Sequence, residues 1–407
     1  MLVPKKFHVI TAAVIIYAIY VYTNDNLYTK LPLYFDFNTV DERFQLVSKI
    51  FRKNFMDGWE RGGAAITVYF KDQKDTITST FSCLKTVMTL CVALLVERKL
   101  ANYDDLVTKY WPGFGDNGKA NITIQMLLSH TAGLTHLDKP LSLENATNHQ
   151  AMRKIFENEQ PKWLSEQDSG CYGSSFYWLI DQLIRHIDKQ KRGVQQYFHD
   201  EIAFKFGIDY SIGLSMTEEH RLARITMPSW SDIFSEIYHT PHLMRNLLFQ
   251  FFALKDSRIY KVMHNLEWLD PTIPLQINNP NFHHLLYHGF GNARSLAEIF
   301  HMLSTGKLLS PAVQLILRNV HANSMDICTI KHLAKEIGFL IFINQSQVTH
   351  AHGHSGFGCQ QVVHDNRNNL TIAYVTNAIK VGIYEQCRTY IRLQNAIYDI
   401  VEKVNGI

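Results

Sequence analysis

A serine and a lysine three residues apart, Ser82 and Lys85 in Thr80-Phe81-Ser82-Cys83-Leu84-Lys85-Thr86-Val87, head a long apolar run and together could carry out acyl transfer. Residues i and i+3 of a helix share a face, so hydroxyl and amine would lie within one turn of each other. Desolvation disfavours an ammonium, and a buried, neutral Lys85 could take the proton of Ser82. The positive N-terminal end of the helix would favour charge developing on an attacked carbonyl oxygen. The run behind the pair, Val87-Met88-Thr89-Leu90-Cys91-Val92-Ala93-Leu94-Leu95-Val96, is apolar nearly all round and closes on Glu97-Arg98-Lys99, which predicts a helix buried in a core.

The spacing alone is weak, because a chain this long contains one by accident. Ser304-Thr305-Gly306-Lys307 repeats it, although its glycine and following leucines suit a helix end. A serine capping a core helix over a snorkelling lysine explains Ser82 and Lys85, taken by themselves, as well as catalysis does. Acyl transfer also needs a donor to the leaving group and a preorganised oxyanion site. Tyr172, in Ser169-Gly170-Cys171-Tyr172-Gly173-Ser174-Ser175-Phe176-Tyr177-Trp178-Leu179, reads as a loop tip feeding a helix from Phe176 to His186. On its own it is a turn aromatic. His352-Gly353-His354-Ser355-Gly356-Phe357-Gly358 precedes a β-prone stretch, where Gly356 and Gly358 allow a ligand to lie against strand backbone.

In their order and separations these segments resemble the serine beta-lactamase and penicillin-binding-protein superfamily, in particular its class C and esterase-like branch with animal beta-lactamase-related members. The resemblance runs from about residue 40 to 400. Phe81-Ser82-Cys83-Leu84-Lys85 is similar to that family's Phe-Ser-x-x-Lys. Ile122-Thr123-Ile124-Gln125-Met126-Leu127-Leu128-Ser129-His130-Thr131-Ala132-Gly133-Leu134 resembles its Ile-Thr-x-x-x-Leu-Leu-Ser-His-Thr-Ala-Gly-Leu signature, and His354-Ser355-Gly356 the histidine version of its Lys-Thr-Gly strand. The resemblance implies Ser82 as nucleophile, Lys85 as base, and Tyr172 sharing the proton and passing it to the leaving group. It implies an oxyanion hole from the backbone N–H groups of Ser82 and Phe357, lined by His354 and Ser355 beside Gly356, and no cofactor. A histidine that is mostly neutral at pH 7 selects substrate carboxylates less than lysine does and suits esters or other acyl compounds.

Three departures from the family pattern bear on activity. Only Lys71 to Thr80 separates the first strand from the serine, where relatives have a further strand and loop; a missing strand would expose a sheet edge. Cys359 replaces a common glycine and adds a side chain near the expected oxyanion site. Gly173-Ser174 follows Tyr172 without the asparagine that suits lactams. Two functions remain open. One is a serine hydrolase acting through an acyl-enzyme on ester or amide (peptide-like) substrates; the other is a membrane-anchored scaffold that kept the fold and lost turnover. An antibiotic beta-lactamase fits His354 poorly.

With 407 residues, 46% hydrophobic and 12% aromatic, the chain can bury a large core. Forty basic against 37 acidic residues, net +3 and without a basic run, leave no electrostatic footprint for nucleic acid. No metal motif appears: His283, His284 and His288 read as an unpatterned polar surface beside Pro280. Lys5-Lys6 precede an apolar run from Phe7 to Tyr22, about 24 Å as a helix at ~1.5 Å per residue, with tyrosines at 17, 20 and 22. A signal anchor within residues 1–25, with the domain lumenal or extracellular, is the expectation; secretion and a mitochondrial location are the alternatives. Sequons at Asn121, Asn145, Asn344 and Asn369 accord with a secretory route, whereas six cysteines do not settle it. Cys83 and Cys91 read as core thiols.

Residues 40–404 then form the catalytic domain. Expected are a helix over 40–54, a strand over Ala64 to Phe70, the Ser82 helix and a largely helical lobe from about 100 to 260. The β-prone segments Ile337 to Asn344, Gln360 to His364 and Leu370 to Asn377 follow, then a helix over Glu385 to Val404. Strands at both ends around a helical middle make an α+β fold with one antiparallel sheet. The resemblance implies the same beta-lactamase/transpeptidase-like fold, with the site between sheet and helical lobe. Ile225 to His239 reads as a loop. Oligomeric state is not legible.

Overall fold

The computed structural model describes residues 14–19, 35, 40, 42–60, 62–68, 77–163, 170, 173–239, 257–270, 273–318, 322–326, 331–343, 350–380 and 387–405. The elements that matter for the site begin with α1 (Gln45–Met56), β1 (Ala64–Val68), β2 (Thr78–Ser79) and α2 (Cys83–Glu97). The lobe that follows contains α3 (Ile124–Leu128), α4 (His149–Asn158), α5 (Ser175–Ile187), β3 (Tyr210–Ile212) and α6 (Trp230–His239). The chain returns through β4 (Gly289–Gly291), α7 (Ala293–Ser304), β5 (Ala322–Asp326), β6 (Lys331–Lys335), β7 (Leu340–Ile343), β8 (His350–Gly356), β9 (Gln360–Asp365) and β10 (Leu370–Thr376) to α8 (Arg388–Asn405).

The two ends of the chain meet in a seven-stranded antiparallel sheet of order β1-β10-β9-β8-β7-β6-β5. Its two faces are read off the period-two alternation of the strands. Val362, Ala373 and Val375 join the core of α2, α5 and α7. Their neighbours Val363, Ile372 and Tyr374 join a second core with Val47 of α1 and Leu393, Ala396 and Ile397 of α8. Fourteen of the fifteen residues of α2 are buried, as its all-round apolar sequence predicts. Each Leu→Ala change in this helix should cost ~2–5 kcal/mol. Among the described residues β1 pairs only with β10, so the sheet edge expected from the short segment before the serine is present.

Several expectations need correction. The sheet is not single: β2, β4 and β3 form a separate three-stranded sheet, whose strands of two or three residues are too short to show alternation. The segment read as a loop from Ile225 contains the helix α6, started by Ser229, whose N–H and hydroxyl bond the Asp232 carboxylate at 2.8 and 2.7 Å. His283 and His288 are buried rather than a polar surface. His283 bonds the Glu219 carboxylate at 3.0 Å and the Ile277 carbonyl at 2.9 Å, while the ring of His288 packs on Tyr287 and Phe290. Among the described residues no three His, Cys, Asp or Glu side chains are grouped to hold a metal.

Ser304 ends α7 and Gly306 has φ +74°, the helix end that its sequence predicts. Cys83 and Cys91 are free and buried. Residues 14–19 are helical, with Val14, Ile15, Ile16, Tyr17 and Ile19 exposed; the rest of the expected anchor lies outside the described residues. No described helix is long and apolar enough to cross a membrane.

Candidate active site

Ser82 stands at the turn into α2, and the small sheet sets that turn. The Thr80 N–H donates to the Gly289 carbonyl at 2.8 Å, and the Thr80 hydroxyl bonds Tyr210 at 2.7 Å. Gly289 and Gly291 leave room for the Tyr210 ring: a Cβ on either would come within 2.4 Å of it. Phe81 then takes φ +45°, a left-handed conformation that costs an ordinary side chain about 1 kcal/mol and re-aims the chain so that the next residue projects from the helix start. Ser82 makes no capping hydrogen bond through its side chain, and Lys85 is 2% exposed. The structural alternative of a capping serine over a snorkelling lysine is therefore not what the chain has built.

Lys85 lies within α2 with its Nζ 5.9 and 5.8 Å from the ring centroids of Phe176 and Tyr177 in the first turn of α5. That directs it to the helix which the Tyr172 segment feeds. Tyr172 itself, with Cys171, lies outside the described residues. Its flanks are held by the signature segment: the Gly170 N–H donates to the His130 carbonyl and the Gly173 N–H to the Thr135 carbonyl, both at 3.2 Å. The Ser175 hydroxyl donates to the Leu134 and Thr135 carbonyls at 3.0 Å, and the His130 ring stacks on Phe176 at 5.1 Å. Ser129–Thr135 is thus the cradle of the tyrosine loop. Gly133 in it has φ +72°, and a Cβ there would lie 2.4 Å from the Trp163 carbonyl oxygen.

The His-Ser-Gly triplet ends β8, against the start of α2. A Cβ on Gly356 would lie 2.7 Å from the Thr80 carbonyl oxygen, the Phe357 and Phe81 rings meet edge to face at 5.7 Å, and Cys83 Sγ approaches the His354 carbonyl at 3.5 Å. The end of β8 therefore packs against the Thr80–Cys83 turn that carries Ser82. His354 is buried and its Nδ1 bonds the Ser355 carbonyl at 2.7 Å, so Nδ1 carries the proton.

Cys359 does not intrude on the site. Its side chain turns into the α8 core and forms a disulfide with Cys387, immediately before α8. Gly358 and Cys359 both have positive φ, +75° and +74°, so a tight turn follows β8 and is tied by the disulfide. Sequence reading missed this tie and the Thr80–Tyr210–Gly289 cradle. The two glycines around Phe290 were the one trace of the cradle. It also missed Gln361, whose Nε2 donates to Ser355 Oγ at 2.8 Å from the directly opposed position on β9.

The comparisons bear on family and fold. The beta-lactamase family model matches residues 58–396. The chain is 26% identical over 296 residues to Esterase/beta-lactamase LipL of Mycobacterium tuberculosis (strain ATCC 25618 / H37Rv), covering 66% of this chain and 65% of that relative's length. Among solved structures it resembles EstA from Arthrobacter nitroguajacolicus Rue61a, with TM-score 0.73, 22% identity, and 90% of this chain and 98% of that one covered. A penicillin-binding protein homologue from Caulobacter crescentus gives TM-score 0.70, 21% identity, and 89% and 98% coverage. These likenesses establish the fold, and the family match spans most of the chain: the protein belongs to the beta-lactamase family.

Proposed function

We propose that the protein is a serine hydrolase that forms an acyl-enzyme at Ser82 with ester or amide substrates. The observation that carries this reading is the Ser82 turn: a serine whose hydroxyl is not used in capping, one turn from a buried lysine, set by a left-handed Phe81 against the end of β8. Ser82 Oγ attacks the substrate carbonyl carbon while Lys85 takes its proton. The N–H groups of Ser82 and Phe357 receive the oxyanion, and Tyr172, with Lys85, returns the proton to the leaving oxygen or nitrogen. Water then cleaves the acyl-enzyme. His354 in place of a lysine favours esters and other acyl compounds over carboxylate-bearing lactams.

The domain is held outside the cytosol by the N-terminal apolar segment. A disulfide at Cys359–Cys387 suits an oxidising compartment, and the sequon residues Asn121 and Asn369 are exposed.

The test is labelling of the purified chain, from residue 26 onward, by a fluorophosphonate and by a penicillin-type probe, with mass mapping. Adduct on Ser82, absent in Ser82→Ala, is expected. Because Ser82 makes no cap bond, that variant should unfold within ~0.5 kcal/mol of wild type. Well-folded wild-type protein that takes no label from either probe would replace the hydrolase reading with a non-catalytic scaffold.

A further inference from the structure

The helix α6 is built inside out. Trp230, Phe234 and Tyr238 recur every four residues, about 40° apart around a helix, so their rings share one face. That face is outward: the three side chains are exposed, and the Trp230 and Phe234 rings stand 6.5 Å apart. The inward face carries the acids. Asp232 accepts from Ser229 at the helix start, and Glu236 pairs at 3.9 Å with Arg388 of α8, whose guanidinium lies 4.2 Å over the Trp59 ring. An ordinary surface helix does the reverse, burying its apolar stripe and exposing its charges. The ion pair therefore holds α6 with its rings turned away from the core.

The surface that suits these rings is lipid. Tryptophan and tyrosine settle at the boundary between headgroups and acyl chains, and phenylalanine on the same helix face enters it with them. The sequence beyond Glu236 fits that boundary in charge as well: no Asp or Glu occurs from Ile237 to Lys255, so nothing there opposes approach to anionic headgroups, while Arg245 and Lys255 are drawn to them. Within that stretch Leu247-Leu248-Phe249-Gln250-Phe251-Phe252-Ala253-Leu254 is apolar but for one glutamine. Position ties the stripe to the candidate site. Met227, just before α6, packs in one apolar cluster with Ile225, Phe81 and Phe357, so the chain runs from the flank of the Ser82 turn straight into the helix. We propose that α6 docks the domain on a lipid surface, its three rings entering the headgroup–acyl boundary and holding the flank of the Ser82 turn beside the bilayer. This contact is separate from the N-terminal anchor and depends neither on it nor on acylation.

Trp230 is its own reporter, because the other five tryptophans, at 59, 111, 163, 178 and 268, are buried or half-buried. The full chain, Phe234→Gln and Tyr238→Gln, each with and without Trp230→Phe, are reconstituted in vesicles of phosphatidylcholine and phosphatidylserine, with plain or brominated acyl chains. Subtracting the matching Trp230→Phe emission isolates Trp230. In wild type that emission should be quenched by the brominated chains and shielded from aqueous iodide. Removing one ring from the lipid should shift docking about ten-fold toward the undocked state, so Phe234→Gln should free Trp230 from bromine and open it to iodide. Vesicles of phosphatidylcholine alone should quench wild type less.

Trp230 open to iodide and blind to bromine on vesicles would overturn the proposal, because the stripe then faces water. Shielding from both would overturn it too and give the rings to a protein contact; cross-linking then separates a second copy from residues 241–255 of the same chain. Melting temperatures equal to wild type are expected, since the replaced rings are exposed, and a variant that melts early is set aside in favour of the wild-type quenching itself. Flotation keeps the two membrane contacts apart. Phe234→Gln that leaves the vesicles altogether rejects the N-terminal anchor, whereas wild type that floats without bromine quenching rejects docking by α6.

Discussion

The two sides of the candidate site are built on different principles. On the nucleophile side, Ser82 and the triplet of β8 are carried by α2 and a central strand, elements buried on both faces of the sheet. On the other side, the segment around Tyr172 is held by backbone bonds from one irregular stretch, Ser129–Thr135, to Gly170, Gly173 and Ser175. A side chain on a packed helix and strand inherits its position from many small contacts, whereas a loop depends on a few bonds. The elements that carry Ser82 and the β8 triplet should therefore be less sensitive to a single change of backbone or bonding than the segment around Tyr172.

The largest test breaks the strongest part. Replacing both Cys359 and Cys387 by alanine opens a tie across 28 residues, worth about 3.5 kcal/mol by loop-closure entropy. Urea unfolding should show that loss, while acylation of the still-folded variant falls less than ten-fold because β8 remains paired on both edges by β7 and β9. Unchanged stability would mean that the sheet alone holds the turn. Gly133→Ala attacks the other side. Its positive φ and the Trp163 carbonyl in the way predict about 2 kcal/mol of destabilisation, with a fall in acylation exceeding that of the disulfide variant. Equal activity losses from the two changes would erase the contrast.

Acid should loosen both sides in the same direction. His352 and His364 are cross-strand partners with rings 5.3 Å apart; burial, then His364, pulls His352 down to about 3, and burial, then Arg318, pulls His364 down to about 4. His136, beside the cradle, is pulled down to about 4 by burial and by Lys162. An unfolded histidine titrates near 6.5, so below that pH the unfolded chain binds protons that the folded one refuses. Stability is full above about pH 6.5 and falls as pH drops toward 4, by up to ~1.4 kcal/mol per unit for each group. Denaturant midpoints from pH 7 to 4.5 should fall accordingly, and His364→Gln should flatten the slope. A slope unchanged in that variant would mean His364 carries no share.

What was legible follows the same division. The Ser82 helix is visible because the ten-residue apolar run Val87–Val96 needs no partner to be recognised, and the His-Ser-Gly strand because its triplet resembles a family motif. The cradle of Thr80 joins residues more than 200 positions apart, through strands too short for a period, and the disulfide pairs two of the six cysteines with no spacing to mark them. The helix α6 was legible and overlooked: Trp230, Phe234 and Tyr238 recur every four residues, but they are exposed at 66, 62 and 81%, an outward stripe that masks the usual inward one. The buried His283 and His288 depend on Glu219, Tyr287 and Phe290 for their surroundings, which composition does not reveal.

The smallest prediction separates the two things Cys359 does. As a disulfide partner it ties the turn after the oxyanion strand; as a residue with a Cβ at φ +74° it strains that turn. Glycine has no such penalty in the left-handed region, so Cys359→Gly with Cys387→Ala should be more stable than Cys359→Ala with Cys387→Ala by about 1 kcal/mol. The Cβ cost then belongs to the turn itself, and the disulfide offsets it while anchoring a sulfur against Gln361. If the glycine variant is no better than the alanine one, entropy gained by glycine in the unfolded chain has cancelled the relief, and the strain at Cys359 is too small to have made the tie necessary.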